Sequence, residues 1–153
     1  MNKIIKLLLC ILLPLLVGGI SGYFTSQSIT NWYVFLIKPT FNPPNYLFGP
    51  VWTTLYILMG ISFYIIVNQA KIHWSLVAIF ALQLTLNFLW SFIFFNYHLL
   101  GLALIEIILL WLSIFTMIIL FYKNNKWAAI INIPYFLWVS FATILNYSIY
   151  KLN

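Results

Sequence analysis

The chain has 153 residues, 65% hydrophobic and 20% aromatic, with 5% charged and a mean hydropathy of +1.06. Seven lysines, one glutamate and no arginine give a net charge of +6. So few charges cannot cover a soluble domain of this size, and lysines scattered at segment ends form no stripe for nucleic acid, so the surface must face lipid.

A helix needs roughly 20 residues to cross the hydrocarbon core. Five apolar runs of that order are present, Ile4–Tyr23, Tyr46–Val67, His73–Tyr97, Leu99–Tyr122 and Trp127–Tyr150. Polar breaks separate them: "TSQSITN", "NQAKIH", "YH" and "YKNNK". The runs are too continuously apolar for lipid-facing strands, which alternate. The expectation is an all-α integral membrane protein, a single domain over residues 1–153 built as a five-helix bundle.

The first run opens with Lys3 and Lys6 and ends in small residues, as a signal peptide does. Apolar character continues into Tyr23 and Phe24 and no A-x-A site follows, which favours a retained span. Gly18 and Gly22 form a GxxxG pair that lets another helix approach. Cys10 is the only cysteine, so neither an internal disulfide nor a cysteine metal cluster can form, and it reads as a small apolar residue.

Between the first two runs lies "KPTFNPPNYLFGP", Lys38–Pro50. Proline stiffens a segment and cannot continue a helix. Irregular backbone near membrane depth survives only where protein or a cavity covers it. This long first loop is expected to cap one end of the bundle, with Asn42 and Asn45 capping the second helix and Phe41, Tyr46 and Phe48 plugging the top layer.

Three later runs each carry one aromatic stripe at helical spacing. These are Trp52, Tyr56 and Phe63; Gln83, Asn87, Trp90 and Phe94; and Tyr135, Trp138, Ala142 and Leu145. Close helix packing in lipid favours small residues. Bulky stripes hold helices apart and leave a space, which Ala142 beside Trp138 would deepen. A flat apolar ligand would find rings for stacking and Gln83 or Asn87 for orientation. From pattern alone, packing and pocket roles weigh equally for Trp52, Trp90 and Trp138. Trp32, Trp74 and Trp127, near run ends, read as interface anchors, and Trp111 as packing or lipid-facing.

Glu106, the only acid, sits inside the fourth run. An intramembrane carboxylate is a functional candidate; the simpler reading is an acid bonded to a neighbouring helix. No second carboxylate or nearby base completes an acid–base pair. His73 and His98 read as interfacial, and no motif supports a metal. Lys3, Lys6, Lys71, Lys123 and Lys126 fall on the side of the N-terminus, Lys38 and Lys151 on the other. That bias places the N-terminus in the cytoplasm and the first loop and C-terminus opposite.

Three blocks in order, "WYVFLIKPTFNPPNYLFGPVWTTLYILMG" (Trp32–Gly60), "LNFLWSFIFF" (Leu86–Phe95) and "PYFLWVSFATILNYSIYKLN" (Pro134–Asn153), resemble the TspO/MBR family of tryptophan-rich sensory and translocator proteins. The resemblance spans essentially the whole chain. It implies a five-helix membrane bundle, often a homodimer, with no obligatory cofactor. It further implies a pocket that takes porphyrins, haem or sterols as ligands and is closed by the first loop. Tyr33 matches a ligand-contacting tyrosine, and Trp52, Trp90 and Trp138 match pocket positions. With them, Phe41, Tyr56, Gln83, Asn87, Phe94 and Ala142 complete the expected ligand-binding set. The function expected from the resemblance is a membrane receptor or carrier for such ligands. The alternatives are a light-dependent porphyrin-degrading enzyme, as some members are said to be, with Trp52 and Trp138 as catalytic relays, or a membrane scaffold that needs no ligand. Leu145, Tyr147 and Lys151 match a short cholesterol pattern, which coincides with the family's proposed sterol site.

Overall fold

A computed structural model describes residues 2–153. It is helical throughout, and five of its helical segments are long and apolar enough to cross a membrane. Helix α1 is Lys3–Asn31, α2 Phe48–Val67, α3 Trp74–Ser91, α4 Leu100–Asn124, α5 Lys126–Ile130 and α6 Ile133–Leu152. The short α5 and the longer α6 together make the fifth span.

Helix α1 runs about two turns past the expected Tyr23 boundary, to Asn31. The polar run "TSQSIT" does not end it, because its hydroxyls bond back to their own helix: Thr25 donates to the Ser21 carbonyl, Ser26 to Tyr23 and Thr30 to Gln27. The backbone breaks at Trp32 (φ −136°, ψ −54°) and enters a short 3-10 turn, Tyr33–Phe35. At the far end of α3 the chain widens into one π turn, Phe92–Asn96. His98 then takes φ +58°, the left-handed region, and reverses the chain into α4.

Between α5 and α6, Pro134 marks the second helical start. The break is held from inside. Ser62 of α2 donates to the Ala128 carbonyl at 2.7 Å, and Asn132 donates to Ser62 at 2.6 Å. Helix α1 packs against α2 through glycine. A Cβ at Gly60 would lie 2.4 Å from the Ile11 Cα and 2.7 Å from the Cys10 carbonyl oxygen. Pro14, four residues on, has no amide to offer that carbonyl. At the same end, the Lys6 ammonium donates to the Val67 carbonyl, satisfying a C-terminal group of α2.

The lower half, nearest Lys6, is filled with side chains: Phe63 stacks on Phe80 at 4.0 Å, and Met59, Ile66, Met117 and Phe121 are fully buried. Trp74 and Trp127 are exposed at helix starts, as interface anchors require. Trp32 is not such an anchor. It stacks on His98 at 4.1 Å and meets Phe94 edge-on, tying the loop side of α1 to the α3–α4 connection.

Gly60→Ala places a methyl group into the α1 backbone and should destabilise the detergent-solubilised protein by about 1–3 kcal/mol. Gly19→Ala, whose Cβ meets nothing within 4 Å, should not. Equal thermal midpoints for the two variants would show that the α1–α2 crossing is not set by Gly60.

Candidate functional site

The upper half of the bundle is not filled. A cavity of about 370 Å³ lies between α1, α2, the end of α3 and α6. Such a volume is in the range of small-molecule sites. Trp52 and Tyr56 line it from α2, Trp90, Phe94 and Phe95 from the end of α3, and Trp138, Ala142 and Leu145 from α6. On α1 the wall is thin: Gly18 leaves room for the Tyr56 ring, which a Cβ there would meet at 2.1 Å.

The floor is a chain of hydrogen bonds. Tyr56 donates to Asn87 Oδ1 at 2.7 Å, Asn87 Nδ2 donates to the Tyr135 hydroxyl at 2.9 Å, and Tyr135 donates to Gln83 Oε1 at 2.9 Å. All these side chains are buried. Trp52 stacks on Tyr56 with centroids 5.5 Å apart, directly above this floor. The wall between α3 and α6 is closed by Trp90, whose Nε1 donates to Asn146 Oδ1 at 3.0 Å.

The roof is the first loop. Tyr33 is buried at the cavity's upper end, and its hydroxyl donates to Asn42 Oδ1 at 2.7 Å. Burial pushes the Tyr33 hydroxyl up to about 12, with the Asn42 bond pulling the other way. Lys38 sits 4.8 Å from the centre of the Tyr33 ring. Phe48 meets Trp138 edge-on at 6.3 Å. Asn153 holds the loop from outside, accepting from the Ile37 amide and donating to the Ile37 carbonyl.

The structure thus brings Tyr33, Trp52, Tyr56, Trp90, Phe94, Trp138 and Ala142 to one cavity. Gln83 and Asn87 do not reach it. Their amides are engaged in the floor, where Tyr135, also on a stripe, joins them. Phe41 lies outside, 46% exposed and packed on Phe141. Tyr46, 76% exposed, does not plug the top layer. Asn42 and Asn45 do not cap α2: Asn42 binds Tyr33 and the Pro43 carbonyl, and no side chain caps the helix start.

The cholesterol pattern does not form one surface. Leu145 faces the cavity, whereas Tyr147 and Lys151 are exposed on the opposite side of α6. Trp111 is anchored by donating to Ser140 at 2.8 Å. Glu106 is buried on α4 away from the cavity, and neither carboxyl oxygen has a hydrogen-bond partner among the described residues. The expected bond to a neighbouring helix is therefore not made. No cluster able to hold a metal occurs among the described residues.

The TspO/MBR family model matches residues 10–152. This chain belongs to the TspO/MBR family. It is 43% identical to the tryptophan-rich protein TspO of Archaeoglobus fulgidus, covering 99% of both chains. It is 34% identical to the tryptophan-rich sensory protein of Cereibacter sphaeroides, over 80% of this chain and 77% of that one. It is 32% identical to the human translocator protein, over 93% and 86%. The five span-capable helices and the TspO/MBR assignment together make the chain an integral, multi-pass membrane protein.

The sequence did not single out Asn146 as the acceptor for Trp90 or Gly60 as the crossing point. Gly60 carried a signal, a glycine in the apolar middle of α2 two residues before Ser62. Glu106→Met removes two unbonded buried oxygens at similar volume and should raise stability by roughly 1–3 kcal/mol. A lower thermal midpoint in Glu106→Met would show that the carboxyl makes a bond that holds the fold.

Proposed function

We propose that this protein is a membrane receptor or carrier that takes porphyrins, such as haem or protoporphyrin, into the cavity between α1, α2, α3 and α6. One observation carries the reading: Trp52, Trp90 and Trp138, from different helices, converge on a single apolar cavity roofed by a loop. Indole faces stack on a flat ring and suit its apolar body. The names of the relatives, translocator and sensory protein, fit carriage or sensing better than a purely structural part. Sterols are a weaker fit, because Tyr147 and Lys151 point away from the cavity. The end bearing Lys3, Lys6, Lys71, Lys123 and Lys126 faces the cytoplasm in this reading, with the roof on the opposite side.

Protoporphyrin added to detergent-purified protein should quench tryptophan fluorescence saturably, at roughly micromolar affinity (about −8 kcal/mol). Ala142→Thr should weaken that binding without loss of fold, because it adds volume beside Trp138 at a cost of about 1–3 kcal/mol. Quenching no greater than that of an unrelated membrane protein would defeat the reading. Unchanged affinity in Ala142→Thr would place the ligand elsewhere.

A second reading is light-driven oxidative breakdown of the bound porphyrin. The observation favouring it is that Trp52 and Trp138 both line the cavity, where a photoexcited ring would meet an easily oxidised indole. Under illumination in air, Trp52→Phe and Trp138→Phe should each abolish a defined product while keeping most binding. Product at the wild-type rate in both variants, or from free porphyrin in detergent, would leave the receptor or carrier reading alone.

A further inference from the structure

Contacts at Gly60 and Gly18 draw α1 against α2, the first on backbone and the second on the Tyr56 ring. Above Tyr56 the facing positions on these helices carry little or no side chain. Gly19 and Gly22 of α1, and Gly49 and Thr53 of α2, border the cavity and are also exposed on the outside of the molecule. A Cβ built at Gly19, Gly22 or Gly49 meets no atom within 4 Å. Three other sides are held by hydrogen bonds. The floor is the bonded chain from Tyr56 to Gln83, the α3–α6 wall carries the Trp90–Asn146 bond, and the roof is held by Tyr33–Asn42 and Asn153–Ile37.

The opening lies at membrane depth. Gly19 is about 24 Å along α1 from Lys3 at 1.5 Å per residue, within a hydrocarbon layer roughly 30 Å thick. Its hydroxyls present no free donors. Thr53 donates to the Gly49 carbonyl at 2.9 Å, Thr25 to Ser21 at 2.8 Å and Ser21 to Gly18 at 3.1 Å. An apolar molecule crossing this seam breaks no hydrogen bond, whereas one entering through the roof must break several.

We propose that the seam between α1 and α2 is a lateral portal, through which a flat lipophilic ligand passes between the acyl chains of the bilayer and the cavity without entering water. The proposal rests on the cavity being the ligand site. Its glycines keep the passage clear of side chains on α1, where the cavity wall is only backbone thick.

The test is the rate of protoporphyrin exchange, followed by stopped-flow tryptophan quenching with the full chain in lipid nanodiscs. Gly22→Phe and, on the facing helix, Thr53→Phe narrow the passage from outside. Association and dissociation should both slow by about tenfold with their ratio held within about twofold, because an obstructed path raises one barrier for both directions. Asn153→Ala, which loosens the roof, should leave both rates as they are. Unchanged rates in both phenylalanine variants, or faster exchange in Asn153→Ala, would overturn the portal. So would faster dissociation alone, which would make these positions part of the binding surface. If the wild-type protein shows no saturable quenching, the cavity reading itself fails, an outcome distinct from binding at unaltered rates.

Discussion

Within lipid, a buried amide or hydroxyl without a partner costs several kcal/mol, so polar groups at bundle depth are driven to pair. In this chain Tyr56, Asn87, Tyr135 and Gln83 do so in a single directional run across α2, α3 and α6. Each bond fixes a side chain that also fills space. Below the run, the interior is packed with Phe63, Phe80, Met59 and Met117. Above it, no polar network and no plug of side chains joins the helices across the middle, and the indoles of Trp52, Trp90 and Trp138 stand around a space. The same stripes therefore serve as core at one depth and as cavity wall at another.

That space persists because its rim is held at several separate points. Trp90 is bonded to Asn146, which in turn donates to the Leu100 carbonyl and links α3, α6 and α4. Trp32 on His98 ties the end of α1 to the turn before α4. The proline-rich loop has few dihedrals left to lose and needs few contacts to stay in place. Tyr33–Asn42 and Ile37–Asn153 supply them. Helix α1 differs from the rest: glycines bring it close to α2 at Gly60 and Gly18 and then leave the upper seam without side chains.

The number of spans was legible because lipid imposes a length and a composition on each. The loop was legible as a roof because proline and irregular backbone need cover at membrane depth. The family was legible from three motif blocks in order, and the match over residues 10–152 agrees. Depth along each stripe was not legible. Helical spacing says which face a residue shares but not how far down the face a cavity ends, so Gln83 and Asn87 were placed with the ligand when they belong to the floor. Partner choice was equally hidden. Asn42 was one residue type with two uses, a helix cap or an acceptor for Tyr33, and only the fold decides between them. The Leu145, Tyr147, Lys151 pattern is divided between two faces of α6, because positions two residues apart on a helix point to nearly opposite sides.

The central claim is that the aromatic-lined space above the Tyr56–Asn87–Tyr135–Gln83 floor is where the ligand resides. The most direct measurement is an experimental structure of the protein in lipid with protoporphyrin bound. The account predicts the macrocycle between Trp52, Trp90 and Trp138, beneath Tyr33, with the floor bonds intact. Density for the ring on the outer face, for example in the shallow groove of Ile108, Trp111, Ser140 and Thr143 between α4 and α6, with the interior space left empty, would contradict it.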